Sequence, residues 1–525
     1  MHPKPLLHLC IDFLVNSTKS YQRHCHDYEG IWSNVSEVWT DLWYLSPCIP
    51  DRATQLLHNY LVYDRHKSEV RDVTRQLLTL LAIKTRRISF VPIEGQLASI
   101  ISSAFFSVKN VFANEHFLQE LDVTGVDLIE DMNVLLALLP LCSELTVLKL
   151  GGNTTADVLC AARNCPITVL HISERLVWQP RVTEDDLIDI IIGSRNYNLA
   201  ELLSNVQQGK SIHENPSWPQ LSDFSSGYCK VQLSFLLLIL VVFTKLHSLA
   251  SNLIQLQDVL QAFHNLRRET PNMHKLSLKS SSLYSGGGFI DTLACVAPDL
   301  EKLNLVAIKN YVNTIIKDIQ KLSIKFSFLR VLDIDLQFIN LAEVPAETFT
   351  GIGWQLTTLN IHANNFHEVS QQDIALLLQS FPLLQDLALD FNRELRCEHS
   401  GAQKMPRFEN VTVFKYKIFQ PRLRSLPCIL KMFPKLEKLT IIGRRFLDKQ
   451  KILMETLTQL QELRILKVIR LFNLDKASLC ELPRMTSDRR PWELYASPNI
   501  FEQEDIKKIQ NCGWTYIPMT EYDLL

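Results

Sequence analysis

Leu356-Thr357-Thr358-Leu359-Asn360-Ile361 has the same spacing as Leu329-Arg330-Val331-Leu332-Asp333-Ile334 before it and Leu384-Gln385-Asp386-Leu387-Ala388-Leu389 after it. Each stretch is an apolar residue, two others, an apolar residue, one other, an apolar residue. The last four positions alternate as in a strand with one buried face. Between the stretches lie segments with helical spacing, such as Ile374, Ala375, Leu377 and Leu378 within 372–379, after which Pro382 restarts the next strand. The stretches recur about every 27 residues, the length of a leucine-rich repeat that follows its strand with a helix.

Eight more units share the pattern. They are Leu118/Leu121/Val123, Leu145/Leu148/Leu150, Ile167/Leu170/Ile172, Met273/Leu276/Leu278, Leu300/Leu303/Leu305, Val411/Phe414/Tyr416, Leu436/Leu439/Ile441 and Leu463/Leu466/Val468. One strand and one helix cannot bury their own apolar faces, so the units must stack. The expected fold is α/β: a leucine-rich-repeat solenoid of the ribonuclease-inhibitor-like horseshoe type, with a parallel sheet inside, helices outside and leucines between. Residues 117–480 are assigned to it, with 481–525 as a C-terminal cap, where Trp492–Ala496 reads as a last strand. Residues 173–272 break the period in a gap long enough for about three more units. Leu199/Leu202 and Trp218/Leu221 are poor strand candidates there, and the polar run 207–223 reads as a projecting loop.

Alternate strand residues face the concave surface. The positions between the leucines are therefore the candidates for substrate contact: Ser277, Asn304, Asp333, Asn360, Ala388, Lys415, Thr440 and Lys467. They pass from neutral and acidic to basic along the array. Asp122, Asp333, Asp335 and Asp390 fit a surface for a basic ligand and fit ordinary solvated positions equally well.

The chain has 525 residues, 46% of them hydrophobic, and a formal net charge of -2. That composition supports a large core and gives no global pull toward nucleic acid or anionic lipid. Its 12 cysteines form no CxxC pair. Cys10, Cys142, Cys160, Cys229, Cys295 and Cys428 lie among apolar residues, as reduced core thiols do. His24-Cys25-His26 has no second pair at finger spacing, and Glu184-Asp185-Asp186 reads as a helix start, so no metal or cofactor is expected. The apolar window 233–244 is too short to cross a bilayer. The N-terminal apolar run holds His8 and Asp12 and lacks a small-residue cleavage site. A cytoplasmic or nuclear location follows. There is no P-loop, GxSxG, HExxH or GxGxxG, and Gly286-Gly287-Gly288 reads as a strand-to-helix loop. The chain is not expected to be an enzyme.

The first 65 residues hold two helical patterns. Pro5-Leu6-Leu7-His8-Leu9-Cys10-Ile11-Asp12-Phe13-Leu14 places Leu6, Cys10 and Leu14 one turn apart on one face. Ile49-Pro50-Asp51-Arg52-Ala53-Thr54-Gln55-Leu56-Leu57-His58-Asn59-Tyr60-Leu61 starts on a proline and carries its apolar residues at helical spacing. Trp32, Trp39 and Trp43 lie between them and suit packing of the two helices. Residues 66–116, with helical patterns over 70–83 and 97–111, read as a cap on the first repeat.

The first pattern resembles an elongin-binding box, and the second the cullin box that follows it in von Hippel–Lindau-type substrate receptors. Together with Leu118-Gln119-Glu120-Leu121-Asp122-Val123-Thr124-Gly125-Val126, which looks like an opening repeat, the chain resembles the Zyg-eleven and Zer-one family. The resemblance implies a substrate-recognition subunit of an elongin–cullin-2 RING ubiquitin ligase. Elongin C, with elongin B, would meet Leu6, Cys10 and Leu14. A cullin would meet Ile49, Pro50, Leu56 and Leu57. An unknown protein substrate would meet the repeat surface at Asn304, Asp333, Asn360, Lys415 and Lys467. Arg52 departs from the apolar residue many cullin boxes carry, and the family's C-terminal armadillo-like region has no counterpart in the pattern here. Two other readings of the residues stay open. One is a non-ligase repeat scaffold whose first 65 residues are a cap. The other is an F-box-type receptor, which would need no Leu-xxx-Cys helix.

Overall fold

The computed structural model describes residues 86–89, 118–124, 135–151 (without 137), 154–172, 182, 184–192, 204–205, 217–225, 233–250, 253–270, 275–285, 288–307, 312–336, 339, 341–363, 369–391, 406–418, 425–443, 450–469, 479–480, 492–496, 501 and 503–518. The two box segments, the tryptophans between them, the helices expected over 70–83 and 97–111, and His24-Cys25-His26 lie outside these residues. The chain divides into two compact units, Met1–Asn252 with Glu269–His274, and Leu253–Arg268 with Lys275–Leu525.

The first unit carries β1 (Arg87–Ser89), β2 (Glu120–Asp122), β3 (Val147–Leu150), β4 (Val169–Ile172), β5 (Asp223–Ser225) and β6 (Ser248–Ala250). Each pairs in parallel with the next. β1 precedes the unit at Leu118 that the leucine pattern marks as first. It is only three residues long and offers one apolar side chain, Ile88, too little to show a period.

β4 pairs directly with β5, Val169 against Asp223 and Leu170 against Phe224, so the two are neighbours in the sheet although about fifty residues separate them. The excursion contains the helix Glu184–Ile192, which packs on the helix Ala156–Ala161. Two strands, β5 and β6, are described where about three units were expected. Trp218 and Leu221 are core residues of the turn into β5 rather than strand residues, so the end of the 207–223 run packs inward instead of projecting. The apolar window is the helix Leu233–Val242, with Phe235, Leu236, Leu238, Ile239 and Leu240 all buried. No helix among the described residues is long and apolar enough to cross a membrane.

The second unit carries ten strands, parallel and in chain order: β7 (Ser280–Tyr284), β8 (Lys302–Val306), β9 (Val331–Asp335), β10 (Thr358–Ala363), β11 (Asp386–Phe391), β12 (Val413–Ile418), β13 (Lys438–Ile442), β14 (Ile465–Ile469), β15 (Trp492–Ala496) and β16 (Trp514–Pro518). From β7 to β13, one carbonyl before the strand accepts two N–H groups of the next repeat. Thr357 O takes Gln385 N at 2.8 Å and Asp386 N at 3.0 Å, and Thr412 O takes Glu437 N and Lys438 N in the same way. This repeated fork locks the register. The leucine triads are buried throughout, from Leu300, Leu303 and Leu305 to Leu463, Leu466 and Val468. Where the outer helix shrinks to Leu426–Leu430, aromatic rings take up the volume. Phe414 and Tyr416 stack at 5.9 Å, and the Tyr416 hydroxyl meets Ser425 Oγ at 3.2 Å. The fold is thus a leucine-rich-repeat α/β solenoid, parallel strands with helices on one side.

Three readings need correction. The unit Met273/Leu276/Leu278 is out of register: Ser281 pairs with Leu303 and Leu283 with Leu305, so Leu278, Ser281 and Leu283 form the triad. A buried serine, its hydroxyl without a hydrogen-bond partner, stands at the second leucine position and hides the pattern. Trp492–Ala496 is not the last strand, since β16 pairs with it after the helix Gln503–Asn511. Cys160 and Cys295 are exposed, not core thiols, because their helices bury Val158 with Leu159, and Ile290, Leu293 with Val296, on other faces. Gly286–Gly288 lies between β7 and the helix Phe289–Val296. Its last glycine, at φ 76°, holds the left-handed conformation a side chain would resist.

Candidate functional site

The helix-free face of the second unit's sheet is built by alternation. In β8 to β12 the residues at leucine positions are buried, and those between and beside them are half-buried or exposed. Parallel in-register pairing then lines these side chains into rows. Asn304 pairs with Asp333, Asp333 with Asn360, Asn360 with Ala388, Ala388 with Lys415, Lys415 with Thr440 and Thr440 with Lys467. The five residues expected to contact substrate, Asn304, Asp333, Asn360, Lys415 and Lys467, therefore lie on one row. Ser277 does not; it precedes β7, and the row starts at Ser282 opposite Asn304.

Flanking rows add residues that the positions between the leucines do not mark. Lys302 reaches Asp333 at 3.2 Å across one strand, and Asn360 Nδ2 donates to the other oxygen of the same carboxylate. One row further along the strands, Asp390 Oδ2 takes Lys417 Nζ at 2.7 Å and meets His362 Nδ1 at 3.1 Å. Lys467 Nζ sits 4.4 Å from the centre of the Tyr495 ring, whose hydroxyl donates to Glu493 at 2.8 Å. Burial, with the hydrogen bond to Glu493, pushes the Tyr495 phenol up to about 12. At this end of the face Ile442 and Ile469 are buried and pack against Tyr495. The signal for these flanking residues was the same two-residue period, read one step to either side of the inter-leucine position.

Burial works to raise the Asp390 pKa, but the hydrogen bonds from His362 and Lys417 outweigh it and hold the group below the ordinary carboxylate value. A depressed folded value means the unfolded chain binds more protons, so the stabilisation is present above the unfolded value and lost as pH falls through the folded one. Acid unfolding of the native chain should therefore steepen below about pH 4. Asp390→Asn should flatten that limb, as followed by circular dichroism at stepped pH. An unchanged limb would refute the pairing. Burial raises Asp386 instead, with Lys438 opposing.

In the first unit the corresponding face holds Lys149 between Glu120 at 3.2 Å and Asp122 at 3.6 Å. His171 is pulled down by burial and by Lys149, with Asp223 and Asp122 opposing. Glu184–Asp186 opens the helix Glu184–Ile192. No group of three or more His, Cys, Asp or Glu side chains able to hold a metal occurs among the described residues. The candidate elongin contacts Leu6, Cys10 and Leu14 and the candidate cullin contacts Ile49, Pro50, Leu56 and Leu57 lie outside the described residues.

No family model and no curated protein matches the chain. Among solved structures, the chain is similar to the crystal structure of the Rad7 and Elc1 complex in yeast, at 10% identity and a TM-score of 0.37, over 99% of this chain and 100% of that one. It is also similar to an internalin of Listeria monocytogenes, at 13% identity and a TM-score of 0.25, over 73% of this chain and 82% of that one. Likenesses this distant carry no functional argument.

Proposed function

We propose that the chain is a substrate-recognition subunit of an elongin–cullin-2 type ubiquitin ligase, holding a protein substrate on the repeat sheet and supplying no catalytic residue itself. The observation that supports substrate binding is the continuous row from Asn304 to Lys467, polar or charged on every strand but β11, where Ala388 stands. Rigid strands hold these side chains at a fixed pitch of about 4.8 Å, which suits a long protein segment better than a small molecule. The ligase role rests on the resemblance of the first 65 residues. Leu6, Cys10 and Leu14 would bury in elongin C, and the helix from Ile49 through Leu57 would meet the cullin. Ubiquitin transfer would then be accelerated by proximity, the chemistry residing in partners. The proposal includes a cytoplasmic or nuclear location, where such partners are found.

Co-purification with elongin B/C tests the reading. The native chain should retain the pair, and a Leu6→Ser, Cys10→Phe chain should lose it while its circular dichroism stays unchanged. Absence of elongin from the native sample would overturn the ligase role and leave a repeat scaffold.

A further inference from the structure

Six large apolar side chains are exposed among the described residues, and five of them fall between 324 and 383: Ile324, Phe328, Trp354, Leu376 and Leu383. Scattered singly, such residues need no account; gathered in one place, they do. Phe328, Trp354 and Leu383 stand in the turns that lead into β9, β10 and β11, three strands paired side by side. Neighbouring strands lie about 4.8 Å apart, so the three turns are adjacent. Ile324 lies at the end of the helix Val312–Lys325, just before Phe328, and Leu376 lies on the helix Gln371–Gln379, which leads to Leu383. None of the five serves the repeat core. Phe326 and Leu329 are buried on either side of Phe328, Ile352 and Leu356 around Trp354, and Phe381 and Leu384 around Leu383, so the core is filled without them. The turns before the flanking strands carry exposed polar residues instead: Asp299 before β8, Asn410 before β12, Lys435 before β13 and Glu462 before β14. Among the described turns of this unit, the apolar band is thus confined to three repeats, on the rim where the strands begin.

We infer that this band is a two-fold interface between two copies of the chain. The area fits. Trp354 is 66% exposed and Ile324 81%, and the five side chains together offer roughly 600 Å² of apolar surface. A stable interface buries about 800 Å² per partner, about two-thirds of it apolar in homodimers, or a little over 500 Å². The layout fits as well. A two-fold contact sets one surface against itself, so what lies on one side of the axis must match what lies on the other. With the axis near Trp354, Ile324 and Phe328 of one chain meet Leu376 and Leu383 of its copy, two apolar residues against two. The flanks carry both signs of charge: Lys279 holds Glu301 at 2.8 Å on the β8 side, and Lys435 holds Glu409 at 3.0 Å on the β12 side. Superposing one flank on the other therefore opposes no single-sign field, which would repel a second copy. The band is separate from the row Asn304 to Lys467, so the inference goes beyond the substrate-binding reading and does not rest on it.

The test is sedimentation velocity of the full chain over roughly 0.1 to 50 μM, a range that brackets a micromolar dissociation constant. The native chain should pass reversibly from monomer to dimer and stop there. Trp354→Glu should weaken the dimer at least about thirtyfold, the loss expected of a central aromatic anchor. Phe328→Glu and Leu383→Glu should each weaken it too. Leu233→Glu, at the exposed large apolar residue outside the band, should leave the dimer as it is. Circular dichroism checks that each variant folds. If Trp354→Glu does not, Trp354→Ser takes its place, and the dilution series of the native chain is read regardless. A dimer that Trp354→Glu and Leu383→Glu leave intact would overturn the inference, as would open-ended association without a dimer. So would a native chain that stays monomeric throughout, and urea denaturation then tells what covers the band. Destabilisation by Trp354→Glu would mean that the chain covers it itself, and indifference that a different protein does.

Discussion

Gly353→Ala is expected to destabilise the second unit by about 3 kcal/mol or more, whereas Gly351→Ala, two residues earlier in the same short helix, should change stability by less than about 1 kcal/mol. Neither glycine is there for a left-handed backbone; both lie in the helix Thr350–Gly353, and the difference is what a Cβ would meet. At Gly353 it would overlap the backbone carbonyl of Ser380, with the Ser380 carbonyl carbon at 2.7 Å and the Phe381 ring at 3.3 Å. That carbonyl has no room to retreat. Ser380 N is bonded to Leu377 O at 3.0 Å, Ser380 Oγ to Ala346 O at 3.0 Å, and Phe381 N to Leu378 O at 3.0 Å, while the Phe381 ring packs on Phe349 at 5.5 Å. Relief would have to separate two adjacent repeats, and a packed interior resists such strain. At Gly351 the nearest atom is Ser323 Oγ at 2.7 Å, the end of a side chain whose own bond to Gln320 O is long at 3.4 Å. It can rotate away, and alanine's better helix propensity, worth roughly 0.5–1 kcal/mol, offsets the crowding. Urea denaturation of the two variants beside the native chain reads the contrast. Equal stabilities would mean that the approach of this helix to Ser380 is not as close as described.

The same comparison of neighbours explains what the sequence made legible. From Leu300 to Val468 the triads could be read directly, because each apolar residue faces a helix and each strand is five or six residues long, enough for alternation to show. The row of candidate contacts followed from that period alone. Legibility failed where a strand is too short or a core position is not apolar. β5 and β6 have three residues each, with Phe224 and Leu249 as their buried central side chains, too few for a period to emerge. At β7 the serine at 281 moved the apparent triad back by five residues, so that Leu278, the first member of the true triad, was read as the last, and Leu276, buried ahead of the strand, as the second. The pairs Lys417–Asp390 and Lys302–Asp333 join residues 27 and 31 apart, a separation set by lateral register and repeat length together. No local pattern carries that information.

Trp218→Ala should cost the first unit about 3–5 kcal/mol, the range for deleting a buried large aromatic, and Trp218→Phe clearly less. The reason lies in the long break of the repeat period between β4 and β5. There the chain leaves the sheet and returns beside the strand it left, so the usual one-helix spacer is replaced by a longer path. Side-chain bonds tie that path down. Arg163 Nη2 donates to Asp189 O at 2.8 Å, Ser217 Oγ to Ile190 O at 2.5 Å, and Trp218 Nε1 to Ala162 O at 3.2 Å. Ala162 closes the helix Ala156–Ala161, where carbonyls lack intrahelical partners. Its oxygen takes Cys165 N at 3.0 Å and the indole N–H besides, using both lone pairs. The ring is almost fully buried. Alanine would leave a cavity that the surroundings cannot close, because the β4–β5 ladder fixes the distance between the turn and the helix. Phenylalanine keeps most of the volume and forfeits the hydrogen bond, a net loss of about 1 kcal/mol plus imperfect packing. Urea denaturation of both variants separates the two contributions. Equal losses for alanine and phenylalanine would show that the indole N–H, rather than the filled volume, holds the break in the array together.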